Sequence, residues 1–206
     1  METTLVCVLE RLRSMIKNKI WEIGVGHLGV CFSALYWDNP EYDITMFEPH
    51  PRYYKEILDA AGNRSNVKIY NVAIGDFDGR VNFFDSETSS YVDGTKSVIY
   101  QQDKNGVFGL DNHPKRELNL KKIEVDIRKL SNYDNGTIDY LRIDTEGHEW
   151  FALKHLISRP HTINVETHEF DALYINPYLY EIEEWMDTNG YKKISMNHND
   201  SIYRKI

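Results

Sequence analysis

Residues 20–29 read Ile20-Trp21-Glu22-Ile23-Gly24-Val25-Gly26-His27-Leu28-Gly29, a short apolar strand running into G-x-G-x-x-G. No other stretch constrains the fold as tightly. Glycines at this spacing let the backbone turn sharply, approach a nucleotide closely and open a helix. The pattern alone says only that a nucleoside-bearing ligand sits at a strand end. Glu22 narrows it. A carboxylate aimed at this turn would repel a pyrophosphate. S-adenosylmethionine has no phosphate there and carries an ammonium and a sulfonium. The residues therefore read first as an S-adenosylmethionine site and second as an NAD site, with Glu22 expected to face the cofactor's ammonium directly or through water.

The rest of the chain repeats the alternation that such a turn requires. Apolar residues at helical spacing predict an amphipathic helix over 2–17. Lys19–Ile23 is the first strand, and a helix is expected through Val30–Trp37, stopping before Pro40. Asp43–Glu48 is a second strand, 51–61 a helix closed by Gly62, and Val67–Asn71 a third strand. Residues 77–126 break the pattern: Gly79–Asp85 and Leu120–Asp126 look antiparallel, and the polar stretch between them reads as a substrate loop. Ile138–Asp144 resumes the sheet. A helix over 147–158, a strand at Thr162–Glu166, a helix over 178–189 and strands at Lys192–Met196 and Ser201–Lys205 complete it. This is β-α-β-α-β followed by a second half, the order of a doubly wound sheet in one domain spanning 1–206.

Composition bounds the partners. The chain has 206 residues and a formal net charge of −8, which argues against a nucleic-acid substrate, since such binding rests on a basic surface. Its two cysteines, Cys7 and Cys31, lack zinc spacing or a disulfide framework and suit a reducing compartment. No run approaches the roughly 20 apolar residues that span a bilayer, and no signal peptide is visible. The expectation is a soluble cytoplasmic domain with no membrane partner. A viral or AT-rich source, or a place within a longer polypeptide, fits the composition equally. Oligomeric state is not legible.

Several segments together resemble the FkbM-type family of S-adenosylmethionine-dependent methyltransferases. They are residues 20–29, Met46-Phe47-Glu48-Pro49-His50-Pro51, Asn71-Val72-Ala73-Ile74-Gly75-Asp76, residues 138–149 with I-D-x-E-G-x-E, and Asn164-Val165-Glu166-Thr167-His168. They occur in family order over roughly residues 20–168. Arg142 stands where the family is expected to prefer lysine, and Glu22 where aspartate is commoner. The resemblance implies an α/β class I methyltransferase fold: a Rossmann-like, seven-stranded, mostly parallel sheet with an antiparallel last strand and helices on both faces. It also implies O-methylation of a sugar or another hydroxylated product.

Individual residues take roles on this frame. Gly24 and Gly26 form the turn beneath the cofactor's methionine part. Glu48 lies roughly 20 residues past the glycines, where an acid accepts ribose hydroxyls. Pro49 fixes the chain beside the adenine, and Asn71 and Ala73 are placed to read its edge. Asp144 ends the fourth strand at the crevice where open α/β sheets bind ligands. Glu146 and His148 follow it, and Glu166 and His168 end the neighbouring strand. Methyl transfer needs an aligned acceptor and a base for its proton. Asp144, Glu166 and His168 could supply either a metal-free base, with His168 the first choice, or a magnesium site. Glu146 reads as a helix-start acid and His148 as a solvated helix residue. Tyr91, Ser97, Tyr100, His113, Tyr174, Tyr178 and Tyr180 are candidates for holding a glycan, a deoxysugar such as rhamnose being one concrete acceptor. Three rivals remain at this stage. An NAD-dependent oxidoreductase leaves Glu22 and the strand-four acids unexplained. A non-catalytic binding module would keep the fold without the chemistry. An RNA or protein methyltransferase meets the acidic charge and the lack of an N-P-P-Y-like motif.

Overall fold

Strands in this chain are short apolar runs between polar turns, and runs buried on both faces are the mark of a parallel sheet covered by helices. The computed structural model describes residues 19–26, 31–85, 90–93, 121–168, 176–196 and 199–206, together with the backbone of 101–102 and 108–109. The helix expected over 2–17, with Cys7, lies outside the described residues, as do His27, Gly29, Ser97, Tyr100, His113 and Tyr174.

The chain begins with β1 (Lys19–Ile23), a 3-10 turn (Phe32–Tyr36), β2 (Asp43–Phe47), α1 (Pro51–Ala61) and β3 (Val67–Tyr70). Then come β4 (Ala73–Ile74), β5 (Gly79–Asp85), β6 (Tyr91–Val92), β7 (Gln101–Gln102), β8 (Phe108–Gly109) and β9 (Lys121–Arg128). A second 3-10 turn (Leu130–Asn132) leads into β10 (Tyr140–Ile143), α2 (Glu149–Leu153) and β11 (Thr162–Glu166). The chain ends with α3 (Leu179–Thr188), β12 (Tyr191–Met196) and β13 (Asp200–Lys205).

Seven strands form the main sheet in the order β12-β13-β11-β10-β1-β2-β3. β1, β2, β3, β10 and β11 pair in parallel, and β13 inserts antiparallel between β11 and β12. This is the expected α/β arrangement. The chain winds outward from β1 to β3, then crosses back to β10 on the other side of β1. The strand order reverses between β1 and β10, and a crevice opens at their carboxyl ends.

Period-two alternation sorts the two faces. Ile20, Ile44, Met46 and Tyr140 pack with Tyr36, Ile57 and Ala61, so α1 and the first 3-10 turn cover one face. Ile23, Phe47, Leu141 and Ile143 pack with Ala152, Leu153, Ile182 and Met186, so α2 and α3 cover the other. Ile44 and Ile143 are wholly buried, and truncating either to alanine would cost roughly 2–5 kcal/mol. A second sheet, β4-β9-β5-β6, arises from the segment expected to break the alternation. β5 and β9 pair antiparallel along their length, over a small core of Ala73, Phe83, Val92, Val125 and Ile127. Among the described residues no helix is long and apolar enough to cross a membrane.

α1 forms where its sequence says it should. Pro51 sits at the helix start, the His50 ring accepts the Arg52 N–H at 3.2 Å, and Tyr53, Ile57 and Ala61 make one buried stripe. Two other helices differ from expectation. The helix expected through Val30–Trp37 is a single 3-10 turn, whose first N–H groups, those of Phe32 and Ser33, are capped by the Glu22 carboxylate at 2.9 and 2.8 Å. The helix expected over 147–158 ends at Leu153. The Asp134 carboxylate draws the Ile157 and Ser158 N–H groups to 2.7 and 2.6 Å, away from any helical partner.

Candidate active site

Gly24 follows β1 with φ at +76°, and a Cβ there would stand 1.6 Å from the Asp144 carbonyl oxygen. Only glycine lets the ends of β1 and β10 remain this close. The Asp144 N–H donates to the Ile23 carbonyl at 3.0 Å and the Gly24 N–H to the Phe47 carbonyl at 3.1 Å, so three strand ends meet at this turn. Gly26, also at positive φ, donates its N–H to Glu48 Oε2 at 2.7 Å.

Glu48 is 3% exposed and also accepts the His50 N–H at 2.6 Å. Burial pushes its carboxyl up to about 7, against the lowering effect of the two N–H groups and with help from the charge of Asp144. Each oxygen keeps an acceptor lone pair beyond its N–H bond. Asn71 supports this strand end in a way not anticipated. Its amide donates to the carbonyls of Glu48 and Pro49 at 2.9 and 3.0 Å, so it braces the backbone and does not line the cleft.

The cleft spans about 660 Å³, open solvent at its mouth included. Gly24 and Gly26 form its floor, and Glu48 and Pro49 one side. Val72, Ala73 and Ile74 form an apolar wall. Phe83, Ser90 and Val92 close over it from the second sheet. Its far end is Asp144, Thr145, Glu146 and His148.

Glu22 is not part of this lining. Alternation places it on the Ile20 face, wholly buried, where its carboxylate caps the 3-10 turn and meets Arg142 Nη1 at 3.3 Å. The expectation that it faces the cofactor's ammonium is corrected accordingly. Arg142 Nη2 reaches Asp144 Oδ2 at 2.8 Å, so one guanidinium joins the two acids. Burial opposes the charge on Arg142, but Asp144 and Glu22 outweigh it and hold the guanidinium more firmly protonated than usual.

Asp144, Glu146 and Glu166 each bring a carboxylate oxygen within 4.8 Å of the others, a hard-oxygen set that could share a proton or a divalent cation. Glu166 is buried, and its carboxyl is pushed well up by that burial and then by the charges of Asp144, Glu146 and Glu149. His168 Nε2 lies 2.8 Å from Glu166 Oε1. Glu146 and His168 adopt positive φ, uncommon for side-chain-bearing residues and concentrated in functional turns. His168 is held so by its N–H, which donates to the Asn199 carbonyl at 2.8 Å.

His148 was expected in solvent. It is 8% exposed, lines the cleft and packs on Phe151, and burial pushes it down to about 4, so it is neutral near pH 7. The aromatic acceptor candidates that are described stay out of the cleft lining. Tyr91 is buried against Phe84, Tyr178 packs edge-on against Phe151, and Tyr180 is 75% exposed.

Two organising residues went unassigned in the sequence. Glu149 is wholly buried, and its Oε1 accepts the N–H groups of Thr145 and Gly147, which shapes the turn after β10. Its Oε2 accepts from Asn176 at 2.6 Å, and the same amide reaches the Glu166 carbonyl at 3.1 Å. Asn176 thereby ties the ends of β10 and β11 together. Glu149 carried a signal, the last position of I-D-x-E-G-x-E; Asn176 carried none.

A family model described as Methyltransferase FkbM domain matches residues 23–193. No curated protein matches the chain. Among solved structures it is similar to precorrin-6y C5,15-methyltransferase from Geobacter metallireducens GS-15, at 15% identity and a TM-score of 0.43, covering 96% of this chain and 85% of that one. It is also similar to a Methanococcus jannaschii fibrillarin pre-rRNA processing protein, at 11% identity and 0.42, covering 92% and 66%. A third is the small RNA methyltransferase HEN1, at 10% identity and 0.47, covering 99% of this chain and 25% of that one.

Proposed function

The chain belongs to the FkbM methyltransferase family, and on that premise we propose that it transfers a methyl group to a hydroxyl of a sugar or glycan. Family membership implies S-adenosylmethionine as the donor, which supplies an electrophilic methyl on a sulfonium. The cleft's chemistry fits such a cofactor. Glu48 keeps acceptor capacity for ribose hydroxyls, the wall of Val72, Ala73 and Ile74 with Pro49 suits an adenine, and the Gly24–Gly26 turn and the acidic far end suit a cationic methionine part.

The observation that carries O-methylation is the Glu166–His168 pair, buried just behind the cleft lining, with the Glu166 carboxylate within 4.8 Å of those of Asp144 and Glu146. A hydroxyl is a poor nucleophile, and a positioned base is worth roughly 10²–10⁴-fold. Glu166 Oε1 holds His168 Nε2, and the acceptor's proton passes to this pair. Asp144 orients the acceptor hydroxyl. The acceptor is an uncharged sugar, since the carboxylates of Asp144 and Glu146 that line this end repel an anionic one. Arg142 and Glu22 support the site from beneath.

The test is incubation with S-adenosylmethionine and a panel of neutral oligosaccharides, rhamnose-terminated ones included, with products located by mass spectrometry and NMR. A methyl on oxygen is expected. His168→Ala should lower turnover by roughly 10²-fold or more while leaving S-adenosylhomocysteine affinity unchanged. Methylation at nitrogen or carbon, or full turnover without His168, would overturn the reading.

A further inference from the structure

Arg142 is a buried cation whose partners lie on both sides of the glycine turn. β10 places it in register with Glu22 of β1, and its side chain is only 14% exposed. Nη1 meets Glu22 Oε1 at 3.3 Å and Nη2 meets Asp144 Oδ2 at 2.8 Å. Glu22 is itself immobilised, because both of its oxygens accept backbone N–H groups at the start of the 3-10 turn. The guanidinium is therefore anchored on one side by a fixed acid and reaches on the other to an acid that lines the cleft. Asp144 also stands within 4.8 Å of Glu146, whose like charge pushes its carboxylate away. Its contact with Arg142 opposes that push.

We propose that Arg142 is the positioning residue of this site: through Glu22 and Asp144 it fixes the acidic wall of the cleft relative to the turn after β1. The inference rests on the cofactor reading above, since the wall it positions is the one that faces the cofactor. Arginine suits the task because its planar fork presents two donors to two carboxylates at once. It also gives Glu22 its place in the site, one step removed from the ligand.

The test is a double-mutant cycle read by calorimetric titration with S-adenosylhomocysteine, using Arg142→Gln, Arg142→Lys, Asp144→Asn and the double variant Arg142→Gln/Asp144→Asn. Arg142→Met, which keeps the buried aliphatic stem, replaces Arg142→Gln if the latter unfolds on heating to the assay temperature. Binding by the unaltered protein reports on the cofactor reading; the ratios between variants report on Arg142. Removal of the guanidinium should weaken binding about tenfold or more. Arg142→Lys, which keeps the charge but not the fork, should recover only part of the loss and bind between the unaltered protein and Arg142→Gln. The double variant should be no worse than Asp144→Asn alone, because the two residues act as one unit. Unchanged binding in Arg142→Gln would overturn the proposal, and so would losses that multiply in the double variant, the signature of two independent structural effects.

Discussion

Glu48 accepts two backbone N–H groups and is still pushed up to about 7 from an ordinary 4.5, because burial outweighs both. The folded state thus prefers its neutral form. Its contribution to stability is full below about 4.5 and is lost as pH rises through about 7, on the order of 3 kcal/mol in all. His148 runs the other way, pushed down from 6.5 to about 4 by burial, so its contribution is full above 6.5 and lost as pH falls through about 4. Urea unfolding across this window should show Glu48→Gln gaining on the unaltered protein as pH rises, and His148→Gln gaining as pH falls. Parallel curves for all three proteins would contradict these environments. Binding should follow the same group: ribose hydroxyls favour the ionised carboxylate, so S-adenosylhomocysteine affinity should rise from pH 6 to pH 8 and stay flat in Glu48→Gln. Glu48 was legible in the sequence because a strand end at a fixed distance from a glycine turn has only one place to be. Glu22 was misread, although alternation from Ile20 already put it on the face away from the cleft. His148 was misread because a short helix start gives no periodicity to show that a side chain is buried.

At the scale of elements, signals carried by the backbone itself were the readable ones. α1 has a proline at its start, a capping ring before it and glycine after it, and its bounds fall where those residues stand. The 3-10 turn and the short α2 were unreadable for a common reason. Each involves a distant carboxylate, Glu22 capping the first N–H groups of the 3-10 turn and Asp134 taking two N–H groups beyond the end of α2, and no local pattern announces either. The glycines give a sharp contrast. Gly24 and Gly62 both have positive φ, but a Cβ at Gly62 meets nothing within 4 Å, while one at Gly24 would collide with the Asp144 carbonyl. Gly62→Ala should cost about 1–3 kcal/mol in urea unfolding, from backbone strain alone. Gly24→Ala should cost distinctly more, because β1 and β10 must also part. Equal costs would mean that the approach of these two strand ends is not a constraint.

For the whole molecule, the acidic end of the cleft exists only because β10 and β11 are neighbours while β13 presses in beside β11. Asn199, just ahead of β13, accepts the N–H groups of both Thr167 and His168, so the last strand sets the position of the proposed base. The roof of the cleft comes from the second sheet, whose two long strands the sequence announced as antiparallel without showing that they cover a cleft. Its side chains Phe83 and Val92 gave no sign of facing a ligand, because a strand pattern marks a buried face but not what that face covers. The mechanism needs no metal, so saturating EDTA should leave methyl transfer unchanged; loss of turnover restored by magnesium would move Asp144, Glu146 and Glu166 from base chemistry to cation binding. In the proposed function the turn after β1, Glu48 and the acids after β10 together hold S-adenosylmethionine. Calorimetric titration with S-adenosylhomocysteine, run beside NAD and repeated on Glu48→Ala, tests it most directly. Micromolar binding of S-adenosylhomocysteine, none of NAD, and a loss of about tenfold or more without the Glu48 carboxylate are expected. Binding of NAD instead, or S-adenosylhomocysteine binding indifferent to Glu48, would contradict it.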